Sequence, residues 1–330
     1  MKQTRDLQFE YVRVIATIWI VGFWHMPNFV EVPNLSPTIM GELGYVTTCM
    51  LATFMFISGY FLSKYTFNTK AEILSFYKKR LTRFFPLFFI SAFLLYRLGF
   101  NPDPLQLLFT LTGLSSYFGH QSVTIWFISL LFSLYMCTPL ISRMLGKIRY
   151  GVLAKLFSVV AFSIVFIYAL SCSPFDYDYR ITYTMPFYGL GLVLGRETII
   201  KDLSSKWYVM FFSGALLVVM HYTHIRGISF LYIDTIVAMM LLFCLCYWLS
   251  HFLHTGKIIS MLSYATMAMY LFHRPIFHLA NKYILNTYMC EITQFYMILM
   301  PLMIVLSYFI QFTYDFCLNK LNEKNVLSFK

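Results

Sequence analysis

The feature that most restricts this chain is the recurrence of long apolar runs. Ten of them occur, at roughly 9–28, 43–63, 84–100, 124–142, 155–171, 182–196, 207–222, 229–250, 258–280 and 294–318. Most come close to the ~20 residues a helix needs to cross a bilayer. Inside hydrocarbon a backbone has no water to bond, so such runs are stable as helices, whose peptide groups satisfy one another. Only 12% of the residues are charged and 59% are hydrophobic, whereas a soluble domain carries about 25% charged residues. Mean hydropathy is +0.67. No stretch is polar enough to coat a soluble domain. The expected fold class is all-α, a polytopic membrane helix bundle of about ten transmembrane helices, with residues 1–330 forming a single domain.

The net charge of +11 raises the question of a nucleic-acid partner, but the basic residues lie in short loops between apolar runs, where they set orientation. With ten spans and an inner N-terminus, 20 of the 25 Lys and Arg fall on the cytoplasmic side, Lys2, Arg5, Lys324 and Lys330 among them. The other five are Arg97, Arg180, Arg226, Arg274 and Lys282. That bias predicts both termini in the cytoplasm. The N-terminal stretch has a charged start but no small-residue cleavage site after it, so an uncleaved first span is expected. The seven cysteines show no CxxC pairing, which argues against a disulfide framework or zinc site; they read as small buried apolar residues.

Ionisable residues within spans are costly, and by default they mark function. The first run holds Glu10, Arg13 and His25. Glu10 and Arg13 are three apart and share a helix face, so they can pair; an inner-interface anchor is the alternative reading. His25 lies about 18 Å further along the helix, toward the outer side. Histidine is the side chain best suited to take a proton near neutrality. The segment after the second run, SFYKKRLTRFFP, contains Lys79, Arg80 and Arg83. It is either an anchor on anionic lipid or a cradle for phosphate. The ninth run holds His273, Arg274 and His278 with Pro275, and that proline frees a carbonyl for a side chain to satisfy. Asp234 and Asp315 are lone acids in spans. The pairs His221/His224 and His251/His254 have HxxH spacing, but the topology puts them on opposite sides of the membrane, and no metal site is expected. The sixth run carries Gly189, Gly191 and Gly195, which permit close helix approach.

Taken in order, these segments resemble the acyltransferase family 3 membrane proteins. The matching features are Glu10, Arg13 and His25; the FMFISGYF segment around Ser58 and Gly59; Arg80 and Arg83 before Pro86; Trp126, Tyr135 and Pro139; and Tyr270, His273 and Pro275. Two departures stand out. Eleven residues separate Arg13 from His25 where the family usually has ten, which on an ideal helix turns the pair by about 120° instead of about 20°. A π-bulge between Ile15 and Phe23 would absorb the extra residue. Leu131 stands where many members have glutamate, which resembles the branch of short, stand-alone polysaccharide acyltransferases, and no soluble domain is expected after the tenth run.

The resemblance implies an O-acyltransferase, an O-acetyltransferase in the first instance, of the bacterial cytoplasmic (inner) membrane. It would use acetyl-CoA or another acyl-CoA as co-substrate, with no permanently bound cofactor. The acceptor would be a hydroxyl of a surface or lipid-linked glycan. His25, with Arg13 and Glu10, is the implied catalytic group, as general base or as acyl-imidazole. Arg80, Arg83 and Lys79 would hold the donor's phosphates. Ser58, Trp126, Tyr135, His273 and Arg274 would line the pocket. Some relatives of this kind are exporters, so a glycan transporter is the competing expectation. It would favour paired repeats and broken midplane helices, and the sequence shows neither.

Overall fold

The computed structural model describes residues 6–32, 36–222, 228–253 and 256–327. Lys2, Arg5, Arg226, Lys330, His224 and His254 lie outside the described residues, as does the side chain of Lys324. In chain order the helices are α1 (Leu7–Ile18, running on as a π-helical stretch, Trp19–Trp24), α2 (Pro37–Leu62), α3 (Lys70–Arg97), α4 (Pro104–Thr112), α5 (Trp126–Lys147), α6 (Gly151–Ser171) and α7 (Arg180–Leu194). They continue with α8 (Ile199–Ser204), α9 (Trp207–Tyr222), α10 (Ile228–Phe252), α11 (Gly256–Tyr283), the single turn α12 (Ile292–Gln294, leading into a π-helical stretch, Phe295–Leu299) and α13 (Met300–Leu327).

Helices stand at all ten positions the apolar runs mark. Among the described residues, six are long and apolar enough to cross a membrane: Leu7–Asn28, Pro37–Leu62, Trp126–Lys147, Gly151–Ser171, Leu231–Phe252 and Ile292–Leu321. The other four differ for physical reasons. α7 and α9 have 15 and 16 residues, or about 22–24 Å of rise against a core of about 30 Å. α3 and α11 are longer but carry cations and other polar groups along their length. On α6, large apolar side chains point outward on several faces, with Phe157 75% and Tyr168 70% exposed. A helix apolar all round and bare to its surroundings is suited to lipid. This is a multi-pass membrane protein.

Residues up to Leu43 together with those from Leu253 form one compact unit, and Gly44–Phe252 form a second. In the second unit, α3 opens with a capping box. Thr69 Oγ1 accepts from the Glu72 N–H at 3.2 Å, and the Glu72 carboxylate accepts from the N–H groups of Asn68 and Thr69. Asp103 caps α4, whose far end closes at Gly113 with φ +79°, a left-handed conformation for which glycine is suited.

The glycine-rich sixth run behaves as its composition predicts. A Cβ on Gly59 of α2 would lie 2.1 Å from the Tyr188 carbonyl oxygen, and one on Gly191 of α7 would lie 2.1 Å from that of Phe56. Gly195 is equally tight against Tyr60. The α2 and α7 backbones therefore touch, and no larger residue fits between them. The cysteines are free thiols: Cys49, Cys244, Cys246 and Cys290 are buried, whereas Cys137, Cys172 and Cys317 are exposed rather than buried as expected.

In the first unit, α11 packs against both α1 and α13. Asp315 of α13 is not alone, since Tyr264 Oη donates to its Oδ2 at 2.7 Å and Gln311 Nε2 to its Oδ1 at 3.3 Å.

Candidate functional site

The site in the first unit begins with the register of its first helix. The π-helical stretch Trp19–Trp24 lies where the eleven-residue spacing called for a bulge. Its signature is the His25 N–H bonding the Ile20 carbonyl, five residues back, at 3.1 Å. Two features favour it here. Gly22 lets Met300 come close enough that an added Cβ would lie 2.9 Å from its Cε. The Gly22 carbonyl also accepts from Tyr296 Oη at 2.9 Å, and Tyr296 sits in the second π-helical stretch.

The bulge decides what Arg13 and His25 face. Arg13 Nη2 donates to Thr266 Oγ1 on α11 at 3.0 Å, and His25 meets His273 on the same helix. Thr266 and His273 are seven residues apart, within about 20° of one face. The extra residue is thus absorbed, and both side chains reach one neighbour. Glu10 extends the seam by accepting a short hydrogen bond from Ser260 Oγ. Arg13 and Glu10 lie about 18 Å or more of helix from His25. They fasten α1 to α11 and do not adjoin the imidazole.

At the far end of this seam the two histidines form a dyad. His25 Nδ1 and His273 Nε2 are 2.8 Å apart, and the rings are nearly parallel at 10°. His273 Nδ1 lies 2.8 Å from the Tyr270 carbonyl oxygen. A carbonyl only accepts, so His273 Nδ1 carries the hydrogen, and in the neutral ring its Nε2 is a lone pair. Only a donor can face that lone pair, so His25 Nδ1 carries its hydrogen as well. His25 Nε2 is then left unprotonated and, among the described residues, without a hydrogen-bond partner. The chain from carbonyl to imidazole to imidazole fixes one tautomer and one ring orientation. The carbonyl used is that of Tyr270, one residue before the carbonyl that Pro275 frees.

The dyad is dry. His273 is fully buried, and His25 and Arg274 are each 7% exposed. The Arg274 guanidinium lies 6.0 Å over the Phe29 ring, which packs edge-on against Phe277. The segment after His25 is pinned in place. Asn281 Nδ2 donates to the Phe29 carbonyl at 3.0 Å, and Glu31 N–H to that of Cys290 at 3.0 Å.

In the second unit the side chains of the basic cluster do not all point one way. Lys79 and Arg83 are exposed, whereas Arg80 is turned inward. Its guanidinium lies 5.4–5.8 Å from the rings of Tyr65, Tyr135 and Phe76, and it donates to Tyr65 Oη at 3.3 Å. Its Nε is buried without a partner among the described residues. Tyr135 is therefore a wall of the Arg80 cage. Ser58 is half-buried on α2 beside Gly59, and Leu131 is buried in α5.

Trp126 shows an arrangement that sequence reasoning missed. The Arg180 guanidinium stacks 4.0 Å over its ring and pairs at 2.7 Å with Asp178, whose side chain is wholly buried. Arg180 also donates to Gln121 Oε1 at 3.2 Å. The available signal was the SPFDYDYR loop, where aspartates and arginine alternate just before a helix. Among the described residues, no three His, Cys, Asp or Glu side chains converge on a common point that would hold a metal ion.

A family model described as "Acyltransferase domain", that of acyltransferase family 3, matches residues 6–312. No curated protein and no solved structure matches the chain.

Proposed function

Since the chain belongs to acyltransferase family 3 and is a membrane acyltransferase, we propose that it moves an acyl group, acetyl in the simplest case, from cytoplasmic acyl-CoA to a hydroxyl of a surface or lipid-linked glycan. The proposed setting is a bacterial cytoplasmic membrane. The observation that carries this reading is the His25–His273 dyad, which leaves one imidazole nitrogen free of any proton in a site nearly closed to water.

His25 Nε2 takes the proton of the acceptor hydroxyl as its oxygen attacks the thioester carbonyl. The C–O bond forms, the C–S bond breaks, and the proton passes from His25 to the departing thiolate. During the transfer, the His25 ring becomes an imidazolium whose Nδ1–H still points at His273 Nε2, so the charge develops against a lone pair already in place. Such base catalysis contributes about 10²- to 10⁴-fold. An acyl-imidazole would use the same nitrogen. Arg274, buried next to His273 in sequence, gives the developing oxyanion a nearby cation. Glu10 and Arg13 hold α1 in register on α11 through Ser260 and Thr266. Arg80 is the proposed contact for the donor's phosphates, with Arg83 and Lys79 as exposed outer charges.

Mass spectrometry of surface glycan from a deletion strain tests the reading. Loss of acyl groups from a polymer that is still exported is the expected result. A polymer that stalls with its acyl groups intact overturns it in favour of an exporter.

A further inference from the structure

The second unit holds a recess distinct from the Arg80 cage. It is lined by Ser63, Ser142, Gly146, Lys155, Leu192 and Arg196, among others. It lies where α2, α5 and α7 end and α6 begins.

The lining is cationic, with Lys155 and Arg196 and no carboxylate. Arg196 is held in place by its own bonds, Nε to the Ser63 carbonyl at 2.8 Å and Nη2 toward that of Tyr65 at 3.5 Å. Two of its five N–H groups are thereby used on the chain, and those of Nη1 and the second of Nη2 remain for an anion. What remains is one guanidinium edge, the Lys155 ammonium and the Ser142 hydroxyl. Neither Lys155 nor Ser142 bonds another described residue. Single donors approaching from separate helices suit a group with several oxygens around one centre. Gly146 leaves the wall open, with nothing within 4 Å of where its Cβ would be, and Leu145, Leu192 and Val193 supply apolar surface.

We propose that this recess binds a phosphate group. Phosphate at this end of the helices has two sources, the headgroup of an anionic lipid and the phosphate of a soluble nucleotide. No lining residue of the recess belongs to the dyad, and its assignment does not depend on which residue carries the acyl chemistry.

The test uses the full chain purified in phosphatidylcholine nanodiscs, as wild type and as Lys155→Gln. Lys155 makes no bond to another described residue, so its substitution leaves the packing alone. Ser142→Ala serves as a second variant. One arm titrates adenosine 3′,5′-bisphosphate by calorimetry. The other adds phosphatidylglycerol to the nanodiscs and counts retained lipid by native mass spectrometry. Binding of either probe that weakens about tenfold in Lys155→Gln, the loss of one charge-assisted hydrogen bond, supports the site, and the responding arm names the source. Equal binding by wild type and variant in both arms, or no binding in either, overturns it. Repeating the titrations in the His25→Ala background separates this result from any failure of the acyl-transfer reading.

Discussion

Exchanging His273 for phenylalanine asks how much of the chemistry depends on the second imidazole. The ring is fully buried, and phenylalanine keeps most of its volume while removing both nitrogens. The Tyr270 carbonyl stays within the helix and keeps its place in the ladder. His25 Nδ1–H, now 2.8 Å from its acceptor, loses that acceptor altogether. A buried donor left unsatisfied costs about 1–3 kcal/mol, which at 1.4 kcal/mol per tenfold is about 5- to 150-fold. The loss falls on the population of the productive tautomer, because a ring without its partner is free to turn or to move its hydrogen to Nε2. Removing the orienting carboxylate of a serine-protease triad costs about 10⁴ for a similar reason; His273 is neutral here, so a smaller effect is expected. The assay follows radiolabelled acetyl groups from acetyl-CoA into a glycolipid extract, using purified protein in nanodiscs. His273→Phe is expected to lower kcat about 100-fold and leave the donor KM within about threefold. His273→Gln, whose amide oxygen can still accept, is expected to stay within about tenfold of wild type. Wild-type kcat in His273→Phe, with the protein folded, would refute the tautomer argument.

Three further outcomes follow from particular contacts. Arg80→Ala is expected to raise the donor KM about tenfold while Arg83→Ala changes it less than about threefold, because a charge-assisted contact from a caged guanidinium exceeds that of an exposed one; equal effects in a donor titration would count against the cage. Gly191→Ala is expected to reduce folded protein in the membrane, since its Cβ would meet the Phe56 carbonyl at 2.1 Å and overpacking costs about 1–3 kcal/mol. Gly214→Ala, with open space around it, is the matched control, read by thermal melting. Arg180→Ala strips the partner from the wholly buried Asp178 carboxylate and is expected to destabilise the protein by about 3–5 kcal/mol, with Asp178→Asn added to Arg180→Ala recovering much of the lost melting temperature.

The all-helical membrane character was legible because hydropathy and charge act over twenty residues at a time, and the lipid environment leaves the backbone few options. Close helix approach at Gly191 and Gly195 was legible for a local reason, that only small residues let two helices touch, whereas their partner helix and Gly59 were not. The π-stretch was legible from one surplus residue between Arg13 and His25. What the sequence did not show depended on pairing across long separations. His273 stands 248 residues from His25, and nothing local says that the two imidazoles share a hydrogen. Arg80 and Arg83 look equivalent on the page, yet one faces aromatic rings while the other faces outward, because α3 packs on α5 through only one of its sides. That Glu10 and Arg13 lie about 18 Å or more along the helix from His25 was legible from their spacing, but their bonds to Ser260 and Thr266 on α11 were not. Four of the ten apolar runs fold as helices that are too short or too polar to meet the spanning criteria that the other six meet, since charge and length decide span quality separately.

The central claim is that His25 Nε2 is the proton acceptor, and it is tested most directly by single-turnover transfer of radiolabelled acetyl from acetyl-CoA to glycolipid by purified His25→Ala in nanodiscs. The account predicts transfer at the level of protein-free controls, with membrane abundance matching wild type. Transfer at the wild-type rate by that variant would contradict it.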